Sequence, residues 1–487
     1  MKHGFALLFS TLIIALSILP ANGQTYTVLQ NFSATEGYPD GVKPAQGFNG
    51  RLYGTYTDTE SYTCGGGAFQ APLGPQTMAI YNFSESSCTA PFGGLMLAND
   101  GNFYGTIGSG GIYGLGALFR MTQDGQMTTL YSFANQGDGA GPIYAPIQAY
   151  DGNLYGTTGG TLDERTYQIV GSGIYKYDLS SAVLTPVYEF GSGEYTAAPL
   201  IQGTDENLYV TTPLSGDGSI LQMTTSGVLL STYNFTGGAD GAYPWAPLMQ
   251  ASDGNYYGTT QQDCGYSSGY YGTIYRMTEA GIVTTIHLFG ESYGGNYPQS
   301  GLTEGTDGYL YGATWGNYVG NRVVYRISKG GGDYKALYIP TDGTTYDAEL
   351  LQHTNGMFYG ASVYGGTNDA GTLYSLDMGL SPFITFVQPW GMIGSTALIL
   401  GQDFTDATSV TFNGILATGF NVVSDTYMTA IVPAGATTGP VVVTTGQGSL
   451  TSNKRFLITA GPPGPETATE KKKNSERWPR LTDGGRN

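Results

Sequence analysis

One heptapeptide recurs along this chain at nearly constant intervals and sets the limits on its architecture. The clearest copy is Asp-Gly-Asn-Leu-Tyr-Gly-Thr at residues 151–157. From each copy to the next, the tyrosine recurs after 48 to 54 residues. The marker tyrosines are Tyr53, Tyr104, Tyr155, Tyr209, Tyr257, Tyr311 and Tyr359. Seven near-even copies predict a repeat protein in which each unit packs on its neighbours.

Each repeat contains four short strand patterns, which we call a to d. Strand a, as in residues 198–202, precedes an Asp-Gly turn, the strongest short signal for a hairpin, and strand b follows within the heptapeptide. Residues 116–121 and 128–133 are examples of c and d. The apolar residues fall on both faces of these strands, which predicts sheets stacked face to face. A chain with 77 glycines, 39 tyrosines and only 11% charged residues suits strands better than long helices.

The two ends of the repeat region predict a closed ring. Residues 25–32 resemble a d strand without its a, b and c strands, and residues 372–376 a c strand without its d strand. The first strand can therefore complete the last blade and remove an exposed sheet edge. We predict an all-β fold, with a seven-bladed β-propeller of four-stranded blades over residues 24–379. An open solenoid is the alternative, but it would not need a split repeat.

The repeat resembles a known family. The heptapeptide, the Gly-x-x-Tyr-Arg-Met strand and the run from Tyr233 to Pro244 are similar to the GloVer tandem repeats of secreted bacterial proteins, of the choice-of-anchor type. The resemblance covers roughly residues 25–379. It implies a β-propeller in an extracellular or cell-surface setting and no particular activity. The first repeat lacks the turn aspartate, and the fourth has Glu206 and Val210 where other repeats have glycine.

A different pattern follows the repeats. Residues 380–460 alternate strand-like segments with turns, and the segments beginning at Pro389, Leu398, Val410 and Ile431 resemble an IPT/TIG domain. That resemblance implies an immunoglobulin-like β-sandwich that acts as a spacer or a second contact. Residues 461–487 are rich in Pro, Gly, Lys and Glu and predict a disordered tail.

The N-terminus and the charge balance restrict the location and the partners. Residues 1–23 combine Lys2, an apolar run from Phe5 to Leu19 and a small-residue cleavage site, which predicts a signal peptide. We expect a secreted or cell-surface protein without a membrane span after signal removal; an uncleaved anchor is the alternative. A net charge of −18 argues against nucleic acid as a partner.

Loop lengths predict one functional face. The b–c and d–a connections are long and share one end of the strands, and function tends to lie on elaborated loops held by a rigid scaffold. Aromatic residues on these loops predict binding of a polysaccharide or an extracellular peptide. The candidates are Trp245, Trp315, Tyr243, Tyr195, Tyr297, Tyr346, Tyr38 and Tyr144. The alternative is that the tyrosines wedge blades together, because they recur with the repeat; the two tryptophans do not recur.

The same loops carry acids and cysteines. Acidic oxygens there give only a weak signal for a calcium site, because no Asp-x-Asp-x-Asp-Gly loop is present. Turn and solubility roles explain most of these acids. The eight acids are Asp40, Asp138, Asp217, Asp240, Asp263, Asp342, Asp347 and Asp369. Cys64 and Cys88 belong to two loops of one repeat on this face, which predicts a disulfide and leaves Cys264 free. His287 and His353 are too few to predict a metal centre.

No catalytic motif stands out. The chain has no Gly-x-Ser-x-Gly turn, no histidine-rich metal set and no carboxylate pair distinguished from the repeat. We predict a non-catalytic binding or adhesion protein without a cofactor. Two alternatives stay open: a secreted propeller enzyme that acts on glycans, and a purely structural surface-repeat protein.

Overall fold

The chain folds into short antiparallel strands. The computed structural model describes residues 24–33, 37–39, 43–57, 65–74, 78–82, 91, 93–163, 168–191, 193–196, 198–214, 216–261, 270–290, 295–316, 322–340 and 349–459. The predicted signal peptide, the predicted tail, Tyr346 and all three cysteines lie outside these residues. Among the described residues, no helix has the length and hydropathy that a membrane crossing needs.

The repeats form seven four-stranded sheets, numbered here in chain order. Sheet 1 contains β2 (Ala45–Gln46), β3 (Leu52–Thr57), β4 (Gly66–Ala71) and β5 (Met78–Asn82); sheet 2 contains β6 (Met96–Leu97), β7 (Phe103–Ile107), β8 (Ala117–Met121) and β9 (Met127–Ser132); sheet 3 contains β10 (Ile147–Gln148), β11 (Leu154–Asp163), β12 (Gln168–Asp178) and β13 (Val183–Glu189). Sheet 4 contains β14 (Ile201–Gln202), β15 (Leu208–Thr212), β16 (Ser219–Met223) and β17 (Leu229–Asn234); sheet 5 contains β18 (Met249–Gln250), β19 (Tyr256–Thr260), β20 (Tyr270–Met277) and β21 (Val283–Gly290); sheet 6 contains β22 (Thr303–Glu304), β23 (Leu310–Ala313), β24 (Val324–Ile327) and β25 (Lys335–Tyr338).

Sheet 7 joins the two ends of the repeat region. It contains β26 (Leu351–Gln352), β27 (Phe358–Ser362), β28 (Thr372–Asp377) and the N-terminal strand β1 (Thr25–Asn31). β1 pairs antiparallel with β28, from Thr25 opposite Asp377 to Asn31 opposite Thr372. The first strand of the chain thus takes the d position of the last sheet, as the split repeat predicts.

The hydrophobic core lies between neighbouring sheets. Sheets 4 and 5, for example, share a cluster that contains Ile220, Phe235 and Tyr275. Sheets 7 and 1 share a cluster in the same way, with Leu373 of β28 and Leu52 and Phe69 of sheet 1. The b and c strands are almost wholly buried, whereas the d strands are half-exposed. Only the b and c strands are therefore buried on both faces, as the apolar pattern predicts for all strands of the repeat.

The heptapeptide forms a self-contained a–b turn. The Asp151 carboxylate accepts hydrogen bonds from the Asn153 backbone and side chain at 3.0 and 2.9 Å and from the Tyr155 hydroxyl at 3.0 Å. Burial raises the pKa of the Asp151 carboxyl, but the bonds from Asn153 and Lys176 outweigh it and hold the pKa below its usual value. Asp100, Asp205, Asp253 and Asp307 accept the same tyrosine bond in their own turns.

A side chain of strand a links each sheet to the sheet before it. In six of the seven junctions, its oxygen accepts a backbone N–H from the preceding a–b turn. The pairs are Gln148 with Asn99, Gln202 with Tyr150, Gln250 with Thr204, Glu304 with Ser252, Gln352 with Thr306 and Gln46 with Thr354. Leu97 occupies this position in sheet 2, and there Gln123 accepts the Phe48 N–H at 3.0 Å.

The last described segment is a separate β-sandwich. One sheet contains β29 (Thr385–Phe386), β31 (Thr396–Leu400), β35 (Tyr427–Ile431) and β34 (Phe420–Val422); the other contains β33 (Ile415–Leu416), β32 (Ser409–Phe412), β36 (Val441–Thr445) and β37 (Gly448–Thr451); β30 (Trp390–Gly391) and β38 (Leu457–Ile458) form a parallel pair, and a 3-10 helix spans Phe404–Asp406. Its core contains Ile399, Phe404, Val443 and Phe456. This is the immunoglobulin-like architecture that the IPT/TIG resemblance implies.

The sandwich packs against the a–b turns. The Phe48 and Tyr427 rings stack with centroids 3.9 Å apart and planes within 3°. In sheet 7, the Thr354 hydroxyl accepts a bond from the Gln402 amide at 2.7 Å and lies 3.1 Å from the Gly401 carbonyl oxygen. Because antiparallel strands put b–c and d–a loops at the opposite end, the sandwich leaves the loop-rich face uncovered.

Candidate ligand-binding face

Seven of the eight predicted aromatic residues lie in the described part of the loop-rich face. Each is half-buried, so its ring has both a protein contact and an accessible portion. Trp245 and Tyr195 come from the loops on either side of sheet 4, and their ring centroids are 6.1 Å apart at 65°. The structure thus brings a non-repeated tryptophan against a repeated tyrosine, in an edge-to-face arrangement that is favourable for aromatic pairs.

Two further aromatic pairs lie on the same face. The Tyr297 ring is 5.5 Å from the Tyr271 ring, and the Tyr38 ring is 5.5 Å from that of Tyr364. Tyr271 lies near the start of strand β20, and Tyr364 lies in the b–c connection of sheet 7; neither was among the predicted residues. Both could have been found as tyrosines in or next to a long b–c loop, but the repeat pattern does not mark them because neighbouring repeats lack them.

The d–a loops also hold neighbouring sheets together through their backbone. The Tyr243 N–H donates to the Asp217 carbonyl at 2.8 Å, and the Tyr243 carbonyl accepts the Gln261 N–H at 3.0 Å. Asp217 precedes β16 of sheet 4, whereas Gln261 follows β19 of sheet 5. The Tyr297 backbone makes equivalent bonds with Tyr271 and Trp315, at 2.8 and 3.1 Å. The backbone groups of these two tyrosines therefore link neighbouring sheets, as in the alternative that the tyrosines hold the sheets together. Their rings remain partly accessible.

The backbone bonds of Tyr243 and Tyr297 between neighbouring sheets require an unusual backbone conformation. Tyr243 and Tyr297 have φ of 60° and 53°, in the left-handed region that side-chain-bearing residues seldom adopt. Each precedes a proline whose ring packs against a glycine: Pro244 against Gly218 and Pro298 against Gly272. Strained residues of this kind are held by their surroundings and concentrate at functional sites. The loops that carry the aromatic rings are therefore rigidly positioned.

The described acids of this face are used to build its loops. Partial burial opposes ionisation of Asp138, but bonds from the Gln136 and Ala134 N–H groups hold its pKa below the usual value. Asp240 accepts bonds from the Thr236 N–H and the Tyr233 hydroxyl in the same way. Asp369 accepts the Gly365 N–H at 3.1 Å. In the described part of the chain, no three His, Cys, Asp or Glu side chains come together as a metal site.

Several predictions on this face lie outside the described residues. They concern the Cys64–Cys88 disulfide, the free Cys264, the Tyr346 ring and four of the acids, Asp40, Asp263, Asp342 and Asp347. His287 lies within strand β21, where burial lowers its pKa to about 4, and His353 lies in an a–b turn at the junction of sheets 7 and 1.

Comparison with known proteins identifies both parts of the chain. The Gloeobacter/Verrucomicrobia repeat model matches residues 15–213, 171–374 and 215–419, and the IPT/TIG domain model matches residues 382–458. Repeats and domains of these types are typical of surface and extracellular proteins. The comparison with curated proteins gives no match.

Two solved structures resemble this chain at low sequence identity. A fungal alcohol oxidase of the AA5 family, in complex with copper, is 13% identical with a TM-score of 0.47, over 90% of this chain and 99% of its own. A protein assigned as a gluconolactonase is 10% identical with a TM-score of 0.39, over 74% of this chain and 94% of its own. At such scores these likenesses determine neither the fold nor the activity.

Proposed function

Because this chain belongs to the Gloeobacter/Verrucomicrobia repeat family, we propose that its seven sheets are the blades of a closed propeller and that its loop-rich face binds an extracellular polysaccharide or peptide. The contact between sheets 7 and 1 supports closure, since the same kind of core cluster and the same glutamine bond occur there as at other junctions. Export through residues 1–23 is part of the proposal.

The observation that carries the binding role is the Tyr195–Trp245 pair. Trp245 does not recur with the repeat, so packing between blades does not explain it. Its ring is half-exposed on the face that the immunoglobulin-like domain leaves uncovered. A rigid loop that presents an accessible indole beside a phenol suits stacking on a sugar ring or on an apolar peptide side chain.

Pull-down on insoluble and immobilised polysaccharides, with and without calcium, tests this role. We expect selective retention of the full chain and about tenfold weaker retention of Trp245→Ala, a loss of about 1.4 kcal/mol. Trp245→Phe should retain most of the binding, because it keeps a stacking ring, and Trp315→Ala tests whether the site extends to sheet 6.

Thermal melting of the variants provides the control. A Trp245→Ala protein that melts like the parent but loses retention supports the site. Unchanged retention in both tryptophan variants would contradict glycan binding by this face and favour a peptide ligand or a structural role. A lower melting temperature of Trp245→Ala would instead assign the ring to packing between blades.

A further inference from the structure

A cleft lies between the immunoglobulin-like domain and sheets 2 and 3, at the end of the molecule opposite the loop-rich face. It has a volume of about 490 Å³, within the range of small-molecule sites. The a–b turns contribute Asn99 and Tyr150, and the domain contributes Gln388, Trp390 and Met392. The cleft is separate from the face proposed above, because a–b turns and d–a loops are at opposite ends of the strands.

Two buried oxygen atoms at this cleft lack hydrogen-bond partners. They are Asn99 Oδ1 and Gln388 Oε1, and neither finds a donor among the described residues. A buried carbonyl oxygen without a donor destabilises the folded state, so such atoms are uncommon in native structures. One oxygen comes from each side of the cleft, and both are closed to solvent, so a bound molecule with two donors satisfies them once the two side-chain amides turn toward it.

The Tyr150 and Trp390 rings form two walls of the cleft and indicate the shape of its ligand. The Tyr150 and Trp390 rings have centroids 5.2 Å apart and are inclined at 60°, so they form a corner rather than a closed stack. Both residues are half-buried, so part of each ring is accessible. Aromatic faces of this kind bind the flat C–H face of a ring-shaped ligand.

The charge of the described lining favours a neutral ligand. Among the residues that the structure describes, the lining contains no Lys or Arg to pair with a phosphate or carboxylate. The single carboxylate, Asp151, already accepts bonds from Asn153, Tyr155 and Lys176. A cation would therefore find no free set of oxygens.

We propose that this cleft is a binding site for a neutral saccharide. A sugar ring packs on Tyr150 and Trp390, and its hydroxyls donate to Asn99 Oδ1 and Gln388 Oε1 when these amides turn toward the cleft. The site goes beyond the binding role of the loop-rich face and does not depend on it. It would make the immunoglobulin-like domain a participant in recognition rather than a spacer.

Saturation-transfer NMR and calorimetry on the full chain test the proposal with glucose, galactose, N-acetylglucosamine, maltose and cellobiose as probes. We expect one or more of these sugars to bind. Trp390→Ala and Gln388→Leu should each weaken that binding about tenfold, the first by removing the wall and the second by removing one acceptor. Leu416→Ala, exposed on the same immunoglobulin-like domain and outside the cleft lining, is the matched control and should leave the affinity unchanged.

The outcomes separate the two sites. If none of the probes binds at millimolar concentration, or if Trp245→Ala alone abolishes binding, the cleft site is wrong. A crystal soaked in the sugars that contains only water at Asn99 Oδ1 and Gln388 Oε1 would also overturn it. Should Trp390→Ala fail to fold, Gln388→Leu and Asn99→Leu report on the same site. Polysaccharide retention that depends on Trp245 tests the loop-rich face independently.

Discussion

Six of the seven b strands carry a glycine because an aromatic ring of the neighbouring c strand lies on it. Gly258 is paired with Tyr275 in register, and a Cβ added to Gly258 would overlap the phenol ring. The same pair occurs as Gly105 with Phe119 and Gly312 with Tyr325. In sheet 4 both members change together, since Val210 is opposite Leu221. The valine that departs from the repeat is therefore accommodated by loss of the aromatic ring.

This pairing predicts a compensating double substitution. Gly258→Val should destabilise the protein by about 1–3 kcal/mol, because it overpacks a buried contact. Combination with Tyr275→Leu should destabilise by less than the sum of the single changes, with a coupling of about 1 kcal/mol. Denaturant titration of the four proteins measures this coupling. Strict additivity would show that the exchange in sheet 4 is unrelated to the ring.

At the scale of elements, the oxygen of strand a is the recurring connection between sheets. The bond from the Thr354 N–H to Gln46 Oε1 is 3.1 Å long and buried, and the Gln46 amide donates in turn to the Thr354 hydroxyl at 2.8 Å. The corresponding bond of Gln250 to Thr204 is 2.9 Å long but exposed. If the glutamine oxygen is removed, water can accept the exposed Thr204 N–H in place of Gln250, but it cannot reach the buried Thr354 N–H in place of Gln46.

We therefore expect unequal effects of the same change at two sites. Gln46→Leu should reduce the free energy of unfolding by about 1–3 kcal/mol, because it leaves a buried N–H without an acceptor. Gln250→Leu should reduce the free energy of unfolding by a clearly smaller amount. Chemical denaturation of both variants makes the comparison, and equal losses would mean that the junction of sheets 1 and 7 is not a buried one.

For the molecule as a whole, the junction between its first and last sheets contains a titratable group. His353 is fully buried; its Nε2 is 3.0 Å from the Gly50 carbonyl oxygen, and its Nδ1 accepts the Asn355 N–H at 3.1 Å. Such an arrangement suits the neutral imidazole, with the proton on Nε2. Burial lowers the pKa of His353 from 6.5 to about 4, although the bond to the Gly50 carbonyl oxygen acts in the opposite direction.

Stability should consequently fall in acid. Between pH 6.5 and about 4 the unfolded chain binds this proton and the folded chain does not, so each decrease in pH favours unfolding. The loss should reach roughly 3 kcal/mol at the lower end. Denaturation midpoints of the parent and of His353→Gln across this range isolate the contribution from that of the carboxylates. Parallel pH profiles would contradict it.

The sequence predicts the repeat, the strands and the a–b turn because their determinants are local. Tyr155 bonds to Asp151, four residues earlier, so the turn is legible in a single copy of the heptapeptide. The four-stranded sheets follow from the same period, whereas the immunoglobulin-like domain is expected from its resemblance to IPT/TIG domains. The aromatic residues of the loop-rich face were also identifiable, since long loops mark that face. Their pairing was not, because Tyr195 and Trp245 are separated by a whole sheet.

Only the tertiary structure decides what lies between distant segments. Gln202 bonds to a turn 52 residues away, and His353 lies against Gly50, 303 residues away. Neither contact has a local pattern, because the partner is a backbone group that any residue provides. The position of the immunoglobulin-like domain on the a–b turns, and with it the cleft at Tyr150 and Trp390, depends on surface complementarity between two separately folded units. Sequence periodicity describes each unit, whereas the contact between them arises only once both are folded.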